Sequence, residues 1–265
     1  MCSFFGVSRA AFYAWRKRQQ GVDPDQERLG WIQEAFLASR RTYGYRRIHL
    51  WLKTERGKRV NGKAILRIMQ KSGLRPICRR RKIIQQVEGV STPTHYRNVL
   101  RQDFSATHPN QKWVTDVTYI RTAQGWAFLA VIKDLFDGFI VAYRFGRKNS
   151  VGLVTEMLEE AKAKEQIGEG LILHSDQGHQ FSSPRYRYLT KQFRITPSMS
   201  RRGNCWDNAP AENFFSHLKE EEVRHWKNPS FQQAREWIDE YIRFYNHERI
   251  QLKTGRTPIQ LRCPS

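Results

Sequence analysis

The sequence predicts an α/β protein in which a mixed β-sheet is flanked by helices and preceded by a small all-α region. Two observations predict this class. The last two thirds of the chain carry three consecutive β-branched and aromatic runs, followed by alternating helix-like and strand-like segments. That order is typical of a mixed sheet with helices on its faces. The first third instead carries short amphipathic helices separated by turn residues.

The net charge of the chain is also unevenly divided. The 265 residues hold 46 Lys and Arg against 25 Asp and Glu, a formal charge of +21. Residues 1–100 account for +16 of this, and residues 101–265 for +5. Such an excess favours a polyanionic partner, most simply nucleic acid. A basic helix on a membrane surface is the alternative, but the sequence has no long apolar run to support it.

The cysteines and the N-terminus exclude other classes of protein. The four cysteines are scattered without a CxxC pair, which argues against a zinc ribbon and gives no disulfide framework. The N-terminus carries no apolar signal segment, so we expect a cytoplasmic protein that acts on DNA without a membrane partner.

The first helix-like segment is short. Ser8 is expected to cap a helix with Phe12 and Trp15 on one side, and residues 1–18 resemble the second half of a helix-turn-helix. The alternative for this segment is a disordered basic arm.

The sequence of residues 25–75 predicts a helical DNA-binding domain of the helix-turn-helix type. Helices are expected over residues 25–40, 45–53 and 62–71, the last capped by Asn61. The first has an apolar stripe formed by Leu29, Ile32, Phe36 and Leu37. The third turns Ile65, Ile68 and Met69 inward and Lys63, Arg67 and Lys71 outward. Three short helices with a basic third one suit DNA binding.

Residues 76–108 read as a basic linker before the α/β core. Four adjacent cations could neutralise phosphates along a duplex without reading its sequence. They are Arg79, Arg80, Arg81 and Lys82.

The α/β core is predicted over residues 109–262. Strands are expected over residues 113–120, 126–135, 139–145, 171–174 and 195–199. Helices are expected from the Ser150 cap to about residue 164, over 184–192, and from about residue 209. Ser230 and Gln233 form a capping box that opens a final helix over residues 231–246.

Three carboxylates in this core stand out. Asp116 lies inside a strand, and Asp176 follows the short apolar run 171–174. A charged Asp in such a position is costly to bury without a partner. Glu212 lies in the first turn of a helix whose start Asp207 or Asn208 can cap. Convergence of the three on hard cations would supply the partner.

The helix of Glu212 also allows a plainer interpretation. On a 3.6-residue period Glu212, Ser216 and Lys219 share one face, and an acidic first turn favours the helix dipole whether or not it binds metal. The other acidic residues of the core are expected to be turn, cap or solvated residues. They are Asp134, Asp207 and Glu220–Glu222.

The spacing of the three carboxylates carries a resemblance. Asp116 and Asp176 are separated by 59 residues, and Asp176 and Glu212 by 35. With the words WVTDVTYI, HSDQGHQF, MSRRGNCWDNAPAENFF, LKEE and YIRFYNHER, this pattern resembles the DDE core of retroviral-type integrases. It is similar above all to the OrfB transposases of bacterial insertion sequences encoded in two overlapping frames.

This resemblance implies an RNase H-like fold with the two aspartates on neighbouring central strands. It implies a DDE polynucleotidyl transferase in which Asp116, Asp176 and Glu212 bind two Mg²⁺ ions, with Mn²⁺ as a substitute. Water would nick the end of the element, and the freed 3′-hydroxyl would attack another strand. The implied partners are element ends, target DNA, further copies of the chain and an upstream-frame OrfA product.

Other residues are assigned supporting roles. His174 and Asn208 are expected to position the carboxylates. The expected DNA contacts are Lys63, Arg67, Lys71, Arg79, Arg80, Arg81, Lys82, Gln180, Arg201, Arg202, Asn204 and Lys219.

Several alternatives remain at this point. His174, Asp176 and His179 form an H-x-D-x-x-H pattern that could bind zinc or iron. A metal-dependent nuclease of the RNase H type and a truncated DNA-binding regulator are also open. Met1 falls where the family has the end of a preceding helix, which leaves open that the chain starts inside a longer product. Gln251 replaces a His of the family pattern, which puts any contact of that His in doubt.

Overall fold

The computed structural model describes residues 4, 6–20, 25–77, 96–201 and 204–263. These residues form two units. The helical unit comprises residues 1–77 with 252–255, and the sheet unit comprises residues 78–251 with 256–265. Within the described ranges, no helix is long and apolar enough to cross a membrane.

The helical unit contains four helices close to the predicted positions: α1 (Arg9–Gln20), α2 (Gln26–Ala38), α3 (Tyr45–Glu55) and α4 (Gly62–Lys71). Two of the predicted caps are present. The Ser8 hydroxyl accepts a hydrogen bond from the Ala11 N–H at 3.1 Å. The Asn61 side chain accepts one from the Lys63 N–H at 2.8 Å, which satisfies one of the free donors at the start of α4.

Helices α2, α3 and α4 pack around a small apolar core. Its buried side chains include Ile32, Phe36, Ile48, Leu52, Ile65, Ile68 and Met69. The prediction for α4 is confirmed, since Lys63, Arg67 and Lys71 are exposed on the opposite side. The prediction for Leu37 is wrong, because this side chain is 68% exposed. Ala35 is buried with Ile32 and Phe36 instead, and Leu37 lies about 100° further round the helix.

The sheet unit is built on five strands: β1 (Lys112–Thr122), β2 (Gly125–Asp134), β3 (Ile140–Gly146), β4 (Ile172–Ser175) and β5 (Thr196–Met199). Their spatial order is β3-β2-β1-β4-β5. The first three pair antiparallel, whereas β4 runs parallel to β1 and β5 runs parallel to β4. The predicted mixed sheet is therefore present, with β1 in its centre.

Helices cover both faces of this sheet: α5 (Val151–Lys164), α6 (Pro184–Gln192), α7 (Ala209–Glu221), α8 (Phe231–His247) and α9 (Pro258–Arg262). The alternation of β2 explains the two layers. Ala130 and Ile132 belong to the apolar cluster that includes α5 and α6. Leu129 and Val131 point to the other face and belong to the cluster that includes α7 and α8.

Two capping boxes fix the C-terminal helices. Ser230 and Gln233 form the predicted box at the start of α8. Thr257 and Gln260 form a second one at the start of α9, a five-residue helix that the sequence analysis missed.

The end of the predicted linker packs on the sheet unit. The Ser198 hydroxyl accepts hydrogen bonds from the N–H groups of Val99 and Leu100 at 2.9 and 3.1 Å. Leu100 is 2% exposed. Val99 and Leu100, which the sequence assigns to the linker, thus contact the sheet unit.

Candidate active site

Asp116 and Asp176 are brought to the same level of the sheet by the register of β1 and β4. Val114 pairs with His174 in this parallel ladder. Each aspartate lies two residues beyond that pair, Asp116 within β1 and Asp176 just after β4 ends. Both line one open cavity of about 410 Å³.

The helix that carries Glu212 is tied to the same region of the sheet. The Asn208 amide donates a hydrogen bond to the Thr115 carbonyl at 3.2 Å, one residue before Asp116. The Lys133 ammonium donates another to the Pro210 carbonyl at 3.2 Å. These contacts hold the first turn of α7, where Glu212 lies, against β1 and β2.

Asn208 therefore does not act as the cap that the sequence predicted. It occupies the N-cap position of α7, but its side chain makes no capping hydrogen bond. Its Oδ1 atom is buried without a hydrogen-bond partner among the described residues. Its amide group links helix to strand instead.

The three carboxylates interact electrostatically. Desolvation, followed by the charge of Asp176 and then that of Glu212, raises the pKa of Asp116 well above its usual value, although the Val117 N–H opposes the shift. Desolvation raises the pKa of Asp176, and the Gly178 N–H and the charge of His179 oppose it. Desolvation and the charge of Asp176 raise the pKa of Glu212. Like charges brought together in a poorly solvated site take up protons more readily than isolated ones.

A lysine also lies close to this group. Lys219 is half-buried two turns after Glu212, and its charge lowers the pKa of Asp116. Desolvation lowers the pKa of the Lys219 ammonium, and Asp116 opposes that shift. Lys219 thus offsets part of the repulsion between the carboxylates.

The cavity beside the aspartates holds further oxygen atoms. Gln180 is 4% exposed and donates a hydrogen bond from Nε2 to Asn149 Oδ1 at 2.7 Å. Its Oε1 atom is buried without a hydrogen-bond partner in the part of the chain described. A Cβ atom at Gly178 would lie 2.7 Å from Gln180 Oε1 and 3.0 Å from Asp176 Oδ1. Glycine at this position keeps the space between the two oxygens open.

Asn149 and Gly178 were not singled out by the sequence analysis. Gly178 directly follows the predicted Asp176 turn, and that adjacency was the available signal. For Asn149 the sequence offered none, because its contact with Gln180 crosses 31 positions.

These atoms fit a hard divalent cation. The donors are carboxylate and amide oxygens, which Mg²⁺ and Mn²⁺ prefer. Within the described ranges, no three His, Cys, Asp or Glu side chains lie close enough to ligate a metal as they stand. The three carboxylates are therefore near one another but not at ligating distance.

His174 is held by two serine hydroxyls. Its Nδ1 and Nε2 lie 2.8 and 3.1 Å from the hydroxyl oxygens of Ser198 and Ser200. Burial lowers its pKa to about 4, so the ring is neutral at neutral pH. With both ring nitrogens engaged away from Asp176, the H-x-D-x-x-H pattern does not form a zinc or iron site. His174 instead links β4 to Ser198 in β5 and to Ser200, which follows β5.

The loop before α7 is organised by Asp207, which is fully buried. Its carboxylate accepts hydrogen bonds from Asn98 at 2.9 Å, Gln102 at 2.7 Å and the Arg201 guanidinium at 3.0 Å. The Arg201 hydrogen bond is the main cause of the strongly lowered pKa of Asp207. Asp207 is thus an anchor of this loop and not the helix cap that the sequence allowed.

The predicted DNA contacts lie in different settings. Arg67 forms an ion pair with Asp25 at 2.7 Å, and Asn204 accepts a hydrogen bond from the Trp206 N–H at 3.1 Å. Arg201 pairs with Asp207 and remains 61% exposed. Arg79, Arg80, Arg81, Lys82 and Arg202 lie outside the described residues.

The prediction that Glu221 is a solvated residue is wrong. Glu221 and Arg249 are 6% and 2% exposed. They form a two-pronged ion pair, with Arg249 Nε 2.7 Å and Nη2 2.6 Å from the two carboxylate oxygens. Tyr241 donates a third hydrogen bond to Glu221 at 2.9 Å. The pair lies between α7 and the end of α8 and has no part in the cavity of the aspartates.

The sequence is similar to three domain families. Two of them, both described as integrase core domain, match residues 106–205 and 212–265 respectively. The family described as HTH-like domain matches residues 23–82. The first of these ranges includes Asp116 and Asp176, and the second integrase range begins at Glu212.

Whole proteins match over most of the chain. The putative transposase InsK for insertion sequence element IS150 of Escherichia coli K12 is 37% identical over 259 residues, covering 97% of this chain and 90% of that protein. The transposase InsF for insertion sequence IS3A of the same organism is 32% identical over 229 residues, covering 83% and 77%. A 31 kDa protein of insertion element IS600 of Shigella sonnei is 37% identical over 262 residues, covering 96% and 94%.

A chain of the simian T-cell lymphotropic virus intasome, solved in complex with the PP2A regulatory subunit B56 gamma, shares the fold. Its TM-score is 0.53 at 14% identity, with 84% of this chain and 75% of that chain covered. This likeness confirms the expected integrase-like fold class. Since the insertion-sequence proteins exceed 30% identity over more than two thirds of their length, the chain belongs to the family of insertion-sequence transposases with an integrase core domain.

Proposed function

We propose that this transposase is a DDE polynucleotidyl transferase that cleaves DNA at the ends of an insertion sequence and joins them to a target. Asp116, Asp176 and Glu212 are the proposed catalytic residues. The observation that carries the proposal is the shared level of Asp116 and Asp176 in the parallel ladder, with Glu212 on a helix that Asn208 ties to the residue before Asp116.

The reaction has two chemically similar steps. Water attacks a phosphorus atom at the element end, and the bond to the 3′-oxygen breaks to leave a 3′-hydroxyl and a 5′-phosphate. The 3′-hydroxyl then attacks a phosphorus of the target strand, and the 3′-oxygen of that strand leaves. Two divalent cations held by the three carboxylates would activate the attacking oxygen and stabilise the leaving oxygen.

The neighbouring side chains have supporting roles in this proposal. Lys219 reduces the repulsion between Asp116 and an incoming phosphate. Gln180 directs a buried amide oxygen at the cavity of the aspartates, where it can accept a hydrogen bond from cation-bound water. Asn208 and the serine-held His174 keep α7, β4 and β5 in place around the carboxylates.

The other partners are proposed from the charge and the relatives. The basic helical unit, with Lys63, Arg67 and Lys71 on α4, would bind the element ends, and Arg79–Lys82 would add contacts to phosphates. Pairing two ends requires more than one copy of the chain on DNA. An OrfA product would be a further protein partner in this complex. The site of action is the bacterial cytoplasm, where the chromosome is accessible.

Magnesium is expected to stabilise the sheet unit, and to do so more at high pH than at low pH. Without cations, the raised pKa values of Asp116, Asp176 and Glu212 stabilise the folded state at a pH below the usual carboxyl pKa values, 3.8 for Asp and 4.5 for Glu. This stability is lost as the pH rises through the pKa values of the folded state. Cations compete with those protons. We expect saturating Mg²⁺ to raise Tm by roughly 5–10 °C at about pH 8 and by far less at about pH 5.

Two matched variants test this assignment in thermal melts with and without Mg²⁺. Asp116→Asn should abolish the shift and raise the Tm of the metal-free protein at neutral pH, because it removes repulsion. Asp103→Asn, which removes an exposed carboxylate paired with Lys112, should keep the full shift. A shift of equal size in wild type and Asp116→Asn would place the ions elsewhere.

Removing residues 1–77 is expected to abolish the preference for element ends while leaving a folded sheet unit. The cut falls before residue 96, so the contacts of Val99 and Leu100 with Ser198 are kept. The measurement is the ratio of affinities for an element end and a random duplex, compared at several salt concentrations. A ratio that is typically ~10³ or more should fall to near one. An unchanged ratio in the shortened protein would remove the helical unit from sequence recognition.

A further inference from the structure

Two exposed aromatic rings and two cations form a cluster beside the candidate active site. Tyr119 and Trp126 are 60% and 52% exposed, and their ring centroids lie 5.2 Å apart in an edge-to-face arrangement. Lys219 Nζ lies 4.8 Å from the Tyr119 centroid, and Arg121 Cζ lies 5.3 Å from the Trp126 centroid. We call these four residues the aromatic–basic cluster.

The cluster stands on rigid elements. Arg121 and Trp126 face each other in the β1–β2 ladder. The turn between these strands is anchored to the start of α8, since the Ala123 N–H donates to the Pro229 carbonyl at 2.8 Å and the Phe231 N–H donates to Gln124 at 2.7 Å. The rings are thus held in place before any ligand binds, which lowers the entropy cost of binding.

The position of the cluster connects it with the carboxylates. Tyr119 lies three residues beyond Asp116 on β1, roughly 10 Å along an extended strand. That distance corresponds to roughly three nucleotide steps of one DNA strand. Because side chains alternate along the strand, Tyr119 and Asp116 leave opposite faces of β1, and Lys219 of α7 connects the two. Lys219 is close to both the carboxylates and the cluster, because its charge acts on Asp116 and its ammonium lies over the Tyr119 ring.

The chemistry of the cluster selects one class of ligand. A cationic ligand is disfavoured because Arg121 and Lys219 already lie against the rings. The exposed ring surface suits a flat apolar group, and the two cations suit an anion. An unpaired nucleotide offers both, a base to stack on an aromatic ring and a phosphate for the cations.

We propose that the aromatic–basic cluster binds an unpaired nucleotide that lies roughly three steps along the DNA strand from the scissile phosphate. Its base stacks on Tyr119 or Trp126, and its flanking phosphates pair with Arg121 and Lys219. The cluster thereby holds the duplex end open and fixes the strand that enters the cavity of Asp116 and Asp176. The location of this strand rests on the proposed function, but the binding does not require cleavage.

Fluorescence of 2-aminopurine tests the proposal with the full chain in EDTA, where no cleavage occurs. The probe is a duplex with three unpaired nucleotides at one end, one of them 2-aminopurine, compared with the fully paired duplex. Stacking should quench the fluorescence of the unpaired probe on binding. Tyr119→Ala and Trp126→Ala should each weaken binding of the unpaired probe by roughly 5- to 100-fold and leave the paired duplex within about twofold.

Two controls make the outcome decisive. Tyr188→Ala removes another exposed tyrosine, 59% exposed with Arg185 near its ring, on α6, and should change neither affinity. Wild type with abasic sites in place of the unpaired bases should show the same loss as the ring variants, without any mutation. The proposal would be overturned if wild type left the fluorescence unquenched, or if the ring variants lost equal affinity for paired and unpaired DNA. It would also be overturned if the ring variants changed only the self-association of the protein. Quenching without any cleavage in Mg²⁺ would instead refute only the proposed function.

Discussion

Replacing Glu212 by Gln is expected to reduce strand cleavage in Mg²⁺ by on the order of 10³-fold, because a catalytic metal contributes several kcal/mol and each ~1.4 kcal/mol is a factor of ten. The change keeps the size of the side chain and removes its charge. Glu212 lies in the first turn of α7 and interacts with Asp116 and Asp176. Loss of this charge removes one proposed ligand while the contacts of Asn208 and Lys133 keep the helix in place.

Duplex affinity should be nearly unchanged in this variant, since the proposed grip on DNA lies in the helical unit. The experiment compares single-turnover cleavage and equilibrium binding of an element-end duplex. Glu220→Gln is the matched control, because it neutralises a carboxylate two turns later on α7 that pairs with Arg224. Cleavage by Glu212→Gln at the wild-type rate would remove Glu212 from the site.

The positions of the secondary-structure elements could be predicted because local signals determine them. The bounds of α4 and α6 agree with the prediction, and both helices begin at a side-chain cap, Asn61 or Ser183. The β-branched runs similarly gave all five strands. The omission of α9 was avoidable, because Thr257, Pro258 and Gln260 carry the signs of a helix start.

The sequence singled out the residues of the candidate site but could not predict their geometry. The spacing of Asp116, Asp176 and Glu212 identified the three carboxylates. Their relative placement depends on the parallel register of Val114 with His174 and on the hydrogen bond from Asn208 to Thr115. Both are contacts between residues far apart in sequence, so helix and strand periodicity cannot reveal them.

Glu221 shows a failure of a different kind. It continues the buried stripe of Ala211, Phe214 and Leu218 on α7, so the helical period did indicate its burial. Its charge led to the opposite prediction, since a lone carboxylate is almost never fully buried. The partner that makes burial acceptable, Arg249, lies 28 residues later.

Replacing Arg249 by Met is expected to destabilise the sheet unit by about 3–5 kcal/mol, because Glu221 would remain buried without the guanidinium that pairs with both of its oxygens. Burial alone lowers the pKa of Arg249, but hydrogen bonds and the charge of Glu221 raise it overall, so the guanidinium is charged at neutral pH. Methionine fills part of the same volume, so that loss of charge rather than a large cavity dominates the effect. Urea denaturation followed by circular dichroism measures the free energy of unfolding.

Two comparisons separate this buried pair from ordinary surface charges. Arg185→Ala breaks an exposed ion pair with Glu159 and should cost less than about 1 kcal/mol. Glu221→Leu combined with Arg249→Met should cost less than Arg249→Met alone, because no uncompensated charge then stays buried. The remaining cost of the double variant is the Tyr241 hydroxyl, which loses its acceptor on Glu221. Glu221→Leu alone completes the comparison. If the double variant lost as much stability as Glu221→Leu and Arg249→Met added together, the coupling between Glu221 and Arg249 would be absent, and packing alone would account for their burial.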